Sequence, residues 1–470
     1  MWKRRSEDAM GILALAALAA FGCAGQAGRE DEQAVARRAE ETAARLQEEY
    51  RRPVAPAARQ DLPELSAESD LSDYLVYAAL NNPDLEVAFN RWKEALGQIG
   101  EAWALPALSV DYAYYVQEMA SSTLPKRKMR GMAQTFPWYG KLEGRAGTAA
   151  EAANAARDRY EQERLRLFYR VKSAYGEYAY LTAATHLVRD AQEKMKHLDG
   201  MAPTNPGLAK DPQGPIRVRA ELRKLHERQQ ALQDMHRPVT ERLNAALGRP
   251  ADAPLPPPQP LQPWPPDVSD GQVLAWLRDA SPELKALRHE IAMADRGVAL
   301  ARQDYFPDFS FGLYLINTRN VRSPRTPDSM NDDQLWMFAV HVPLWFEKYE
   351  AGVREARRRH WDALKASTDR ETELQAEVNV ALYRLRDAER KSALYRTTLI
   401  PKAKDEAAQA DAAFQERGEG LAVLAEARAV LLELELGRER ADADFEARLA
   451  ELEMLVGRDL PRKEPSNAPG

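Results

Sequence analysis

The chain has one cysteine in 470 residues, 8% aromatic residues and seven scattered histidines. A single thiol excludes an intrachain disulfide, so stability has to come from packing in whatever redox compartment the protein occupies. There is no Gly-rich phosphate loop, no nucleophile elbow, no His-Glu-x-x-His and no cysteine pair, so the sequence gives no ground for an enzyme, a metal site or a cofactor. The histidines at 186, 197, 226, 236, 289, 341 and 360 stand singly and read as solvated or packing residues. Positive charge is not in excess either: the net charge is -6 with a pI near 5.9. Without zinc-finger spacing or a basic helix, nucleic acid is not an expected partner.

Long hydrophobic runs are also missing. Met10 to Phe21 is too short to span a bilayer, and it follows Lys3-Arg4-Arg5 and precedes Gly22-Cys23. That layout predicts a secretory signal over residues 1–22, with Cys23 where lipoprotein signals place the residue that is lipid-modified after cleavage. Ala24 is not the Asp that resembles an inner-membrane retention signal. Residues 23–70, rich in Glu, Arg and Ala, read as an extended N-terminal arm.

What the chain does contain is 44% hydrophobic and 29% charged residues, a mixture that favours long exposed helices over several compact cores. A linker at 249–267 holds nine prolines, which excludes a continuous helix or a central strand. On either side of it lie two similar halves, 71–248 and 268–458, followed by a polar tail at 459–470. Pro83-Asp84-Leu85 answers to Pro282-Glu283-Leu284, Leu105-Pro106 to Phe306-Pro307, Phe136-Pro137-Trp138 to Val342-Pro343-Leu344, and Leu247-Gly248-Arg249 to Val456-Gly457-Arg458. The offset grows only from 199 to 209 residues in that order, as small insertions in a duplicated unit would make it.

Each half predicts a helix, two strand stretches joined by a polar loop, a very long helix and a returning helix. The long helices, at roughly 140–197 and 347–414, carry one apolar stripe each: Phe168, Val171, Tyr175, Tyr178 and Leu181, and Val378, Leu382, Leu385 and Ala388. Narrow stripes of this kind suit coiled-coil packing. At about 1.5 Å per residue the two helices would run roughly 87 and 102 Å. The flanking helices, at about 71–105 and 213–247 and at 270–305 and 419–457, match those lengths only as end-to-end pairs. Pro401 interrupts the second long helix, either kinking it or starting a new segment.

The strand stretches alternate. Leu108, Val110, Tyr112, Tyr114 and Val116 share one face, as do Phe309, Phe311, Leu313 and Leu315, and Trp336, Phe338, Val340 and Val342. The fourth, near Lys128 to Phe136, is basic and poor in branched residues. Strands of about ten residues reach across a membrane when tilted, but barrels begin at about eight strands, so four membrane strands require an oligomer. Soluble hairpins packed on helices are the alternative. Lys126, Arg127, Lys128 and Arg130, near the first hairpin loop, read either as cations that meet lipid phosphates or as ordinary surface charge.

The order of Asn82-Pro83-Asp84-Leu85, Ala104-Leu105-Pro106, Gln134 to Lys141, Val342-Pro343-Leu344-Trp345, and Gly418 with Leu421 and Leu424 resembles the TolC-like outer-membrane factors of efflux and type I secretion, over about 71–460. The resemblance implies a mostly α fold with a small β part: two structural repeats whose coiled-coil helices form an α-barrel, and four strands per protomer in a twelve-stranded β-barrel. It implies a homotrimer in the outer membrane, extending into the periplasm and working with a periplasmic adaptor and an inner-membrane transporter. It places adaptor-contacting tips at Gly207 and Leu208 and at Gly418, Leu421 and Leu424, and a lumen gate near Asp405, Glu406 and Asp411. The Pro137-Trp138-Tyr139-Gly140-Lys141 run looks most like the branch that serves heavy-metal resistance pumps. A rival of another class is a non-conducting coiled-coil spacer across the envelope.

Lipidation is directly testable. Metabolic labelling with a palmitate analogue is expected to mark the wild type and not Cys23→Ser, and equal labelling of both excludes the anchor.

Overall fold

Asn82-Pro83 and Ser281-Pro282 each begin a new helix at a place where the sequence predicts a continuous one. Proline is favoured at the first helical position, where its missing N–H would have no partner in any case. Asn82 adds a side-chain cap, its Oδ1 accepting from the amides of Asp84 (3.0 Å) and Leu85 (3.3 Å). The computed structural model describes residues 64–114, 126–201, 213–318, 333–417 and 420–462, all within the unit Ala55–Gly470.

The helices are α1 (Leu71–Asn81), α2 (Pro83–Trp103), α3 (Tyr139–Met201), α4 (Gln213–Leu247), α5 (Asp270–Ala280), α6 (Pro282–Gln303), α7 (Phe346–Leu394), α8 (Ile400–Arg417) and α9 (Leu421–Val456). The strands are β1 (Ser109–Tyr114), β2 (Lys126–Phe136), β3 (Asp308–Thr318) and β4 (Asp333–His341). With 63 residues, α3 spans about 94 Å. One end of it packs on α2 and α6, the other on α4 and α9. Each long helix is thus flanked by shorter ones stacked end to end.

The apolar stripes are buried as their spacing predicts. Val171, Tyr175, Tyr178 and Leu181 are core residues, and so are Val378, Leu382, Leu385 and Ala388. Phe168 is only half-buried, and its neighbour Leu167 takes the inward place. The Pro-rich linker is laid down on α3: Tyr175 Oη accepts from the amide of Gln259 at 2.9 Å, and Leu255 and Leu261 join the core. Its end is tied to the C-terminal segment, where the Asp267 amide donates to the Pro461 carbonyl at 3.0 Å.

At Pro401 the helix is interrupted and a new segment begins at Ile400. The proline has no N–H for the carbonyl of Thr397, and the chain absorbs that defect in a π turn at Tyr395–Leu399 before continuing as α8. Asp442, 2% exposed on α9, fixes the turn by accepting from Ser392 Oγ (2.5 Å) and from Arg396 (2.8 Å).

The two repeats close with the same device. Gly248 and Gly457 follow the ends of α4 and α9 with φ of +70° and +89°, and each backs onto the break between the paired helices of its own repeat. A Cβ on Gly248 would lie 2.6 Å from the Asn81 carbonyl oxygen, and one on Gly457 would lie 2.8 Å from that of Ala280. Both the left-handed backbone and the lack of space demand glycine. Gly248→Ala and Gly457→Ala are each expected to destabilise the protein by about 1–3 kcal/mol. Thermal melting of the detergent-solubilised protein measures this, and an unchanged midpoint would show that the device is not needed.

Candidate functional site

The four strands form one antiparallel sheet in the order β1-β2-β3-β4, so the two hairpins of the two repeats are joined along β2 and β3. The register sorts the residues into two faces. One carries Val110 and Tyr112 from β1, Met132 and Phe136 from β2, Phe309, Phe311 and Leu313 from β3, and Trp336, Phe338 and Val340 from β4. This face is open to solvent in the single chain: Val110 is 78% exposed and Trp336 73%. An exposed apolar surface of this breadth on a soluble protein would mark an interaction site or lipid contact.

The other face is mixed: Ser109, Asp111 and Ala113, then Met129, Gly131, Ala133 and Thr135, then Ser310, Gly312, Tyr314 and Ile316, and on β4 Leu335, Met337 and Ala339. Tyr314 lies flat across it. A Cβ on Gly131 would come within 2.2 Å of the Tyr314 ring, so glycine in the middle of β2 is what admits the ring. Its hydroxyl reaches over β2 to donate to Asp111 on β1 at 3.0 Å, and Thr135 and Ser310 pair at 2.9 Å nearby. The polar groups of this face bond to one another, and the opposite face carries most of the large exposed apolar side chains of the sheet.

Where sheet meets helix, Asp308 acts as a staple. It accepts from Lys141 Nζ at 2.8 Å and from the Trp138 amide at 3.0 Å, while Lys141 also donates to the Phe306 carbonyl at 2.9 Å. Trp138 stacks on Phe306 with centroids 5.0 Å apart. The start of α3 is thereby fixed to the start of β3 across the two repeats. Farther along α3, Glu151 accepts from His289 Nδ1 (2.8 Å) and Arg296 (3.2 Å) on α6. The His289 hydrogen bond holds the Glu151 carboxyl below the usual range despite its burial, and Arg296 adds to the effect. That contribution to stability is present above the unfolded carboxylate pKa and is lost as pH falls through the lower folded value.

At the opposite end, α8 and α9 form a hairpin. Leu421 and Leu424 are fully buried in it, Val423 is 64% exposed, and Asp411 accepts from Arg428 at 2.8 Å.

No family model and no curated protein matches the chain. Solved structures do. The open-state outer membrane channel MtrE of Neisseria gonorrhoeae is similar over 84% of this chain and 90% of its own, with a TM-score of 0.68 at 15% identity. The outer membrane protein VceC of Vibrio cholerae covers 83% and 96% with a TM-score of 0.63 at 17% identity, and CusC covers 87% and 98% with 0.64 at 14%.

The chain has the TolC-like outer-membrane channel fold.

Within that fold the residues singled out from the sequence are scattered. Cys23, Gly207, Leu208 and Gly418 lie outside the described residues. Leu421 and Leu424 point into the helix packing, so their side chains are not a contact surface in this conformation. The reason is their spacing on the first turn of α9, which puts both on the face turned to the core. Asp405 and Glu406 are exposed on α8, whereas Asp411 is held by Arg428 and by Gln415 (3.0 Å), so the three do not form one cluster. Among the described residues no group of three or more His, Cys, Asp or Glu side chains is placed to hold a metal, and no helix is long and apolar enough to cross a membrane.

The Asp308 staple was not legible in the sequence, although Lys141 stands in the motif that carries the resemblance. Its partner lies 167 residues away in the other repeat. The Asp111 to Tyr314 bond was hidden in the same way, and glycine at 131 inside a strand is the one local signal of it. Asp308→Ala is expected to cost about 2 kcal/mol, because Lys141, 9% exposed at its side chain, would lose its counter-charge. Lys141→Met with Asp308→Leu should recover part of that loss, since it removes the uncompensated cation but still leaves the Trp138 amide without its acceptor. Melting curves decide it, and a double variant no better than Asp308→Ala would count against the staple.

Proposed function

We propose that the chain is one protomer of a passive exit duct in the outer membrane, serving a tripartite efflux system. The observation that carries this reading is the sheet: one face holds most of its large exposed apolar side chains, the other holds the bonded polar groups of Asp111, Tyr314, Thr135 and Ser310, and β1 and β4 are its edges among the described residues. A backbone edge in lipid has no water to bond, so such a sheet has to be closed by other copies. Successive antiparallel pairing makes β1 and β4 antiparallel to each other, so β4 of one copy can extend onto β1 of the next. Two copies would reach the minimum of about eight strands. Three copies, as the resemblance implies, give the twelve-stranded barrel, with the face of Asp111, Tyr314, Thr135 and Ser310 toward the lumen.

The helices then extend from the barrel into the periplasm over roughly 100 Å. Cys23 would carry the lipid that anchors the arm. The α8–α9 hairpin would meet the periplasmic adaptor through Val423 and the glycines of its turn, coupling the duct to an inner-membrane transporter. The Asp411 to Arg428 pair ties the two helices of that hairpin and would resist their separation at a gate. The protein itself turns over no substrate in this reading.

Single-channel recording in planar lipid bilayers tests it against the non-conducting spacer. Reproducible conductance steps are expected from wild type, and Arg428→Gln should open more often. A protein that inserts but never conducts would favour the spacer.

A further inference from the structure

The face of the sheet that the proposed function turns toward lipid is not uniformly apolar. Register places Arg130 and Lys128, both exposed, on that face of β2. Arg130 stands level with Tyr112, Leu315 and Gln334, and Lys128 one row farther toward the loop, level with Tyr114. Every row nearer the helices carries apolar side chains there, apart from Gln134.

A charged side chain on the lipid face of a barrel is costly at the bilayer midplane, and the cost falls toward zero at the interface. The height of these cations therefore matters. Counting from Val342, 59% exposed below β4, the Gln334 level is eight residues up the strand. At about 3.3 Å per residue and a tilt of about 40°, Arg130 lies roughly 20 Å and Lys128 roughly 25 Å above that point. The apolar band of an outer-membrane barrel is about 25 Å tall. Lys128 thus falls at the upper edge of the band, at the loop end of the sheet, and Arg130 about 5 Å inside it, within reach of the headgroups for a long side chain.

We infer that Lys128 and Arg130 form a clamp for the phosphate of an outer-leaflet lipid headgroup. This rests on the membrane reading of the sheet. The chemistry is complementary: Lys128 and Arg130 are cations two residues apart on one strand face, and phosphate offers several acceptor oxygens. Tyr112 and Tyr114 on the adjacent strand, 66% and 51% exposed, supply the amphipathic rings that favour the same interfacial depth. The clamp sits on β2, which is central within the protomer's sheet, so each copy in an assembly would bind its own lipid.

The test uses the full-length protein reconstituted into phosphatidylcholine vesicles with and without diphosphorylated lipid A. Wild type is expected to melt at a higher temperature with lipid A present and to retain it through extraction. The variant carrying Lys128→Gln and Arg130→Gln should bind it roughly thirty-fold more weakly, from two lost surface charges. Exchanging the pair, with Lys128→Arg and Arg130→Lys, should restore binding. Equal retention by wild type and the glutamine variant overturns the clamp, as does an equal melting shift produced by inorganic phosphate alone. Flotation with the vesicles separates the two readings. A glutamine variant that floats but loses lipid A supports the clamp, and one that floats and keeps it removes the clamp but leaves the barrel. A wild type that fails to float removes both.

Discussion

In the hydrocarbon of a bilayer there is no water to bond a free backbone amide or carbonyl, and a four-stranded meander presents a row of them along β1 and another along β4. Once the outward face of this sheet is read as lipid-facing, that requirement governs the rest of the molecule. The chain has to be incomplete alone, its neighbours must offer the opposite edge, and the polar groups of Asp111, Tyr314, Thr135 and Ser310 must face away from lipid and bond among themselves, as they do. On that reading each protomer would contribute only the stretch between its helices to the membrane, and most of the described residues are helix.

The helical part answers a different demand. Helices of such length cannot be held by a single compact core, and this chain holds them by repetition. The same break before a proline and the same left-handed glycine recur in each half, so the shorter helices are stacked at matching levels against α3 and α7. Irregularities are confined and pinned: Pro401 is absorbed in one π turn, and the buried carboxylate of Asp442 binds both Ser392 and Arg396 beside it. The junction with the sheet is fixed by Asp308 and Lys141 rather than by apolar packing alone, which sets the direction in which β3 leaves α6 relative to the start of α3.

Much of the fold was legible because its signals are local or periodic. The stripe Val171, Tyr175, Tyr178 and Leu181 follows from helical spacing, the sheet faces follow from alternation, and the duplication follows from marker residues in unchanged order. The helix breaks at Asn82 and Ser281 were within reach, since a capping residue before proline marks each. The tips were less legible. A leucine near a turn reads as surface, yet Leu421 and Leu424 are inward because the rotation of α9 against its neighbours decides which face is covered. Asp405, Glu406 and Asp411 look equivalent along the chain, and only the position of Arg428 on the adjacent helix sets Asp411 apart.

By itself the sequence determined the helix and strand periods, the twofold repetition and the absence of any compact catalytic or metal-binding motif, because each of these is a property of residue types at short or regular spacing. Tertiary structure alone decided which carboxylates are partnered, which glycines are irreplaceable and how far Lys128 and Arg130 stand from the lower edge of the sheet. Those depend on contacts between residues of different elements, from Asp411 and Arg428, 17 positions apart, to Asp308 and Lys141, 167 apart, and on the relative register of four strands. A single strand's alternation cannot fix that register.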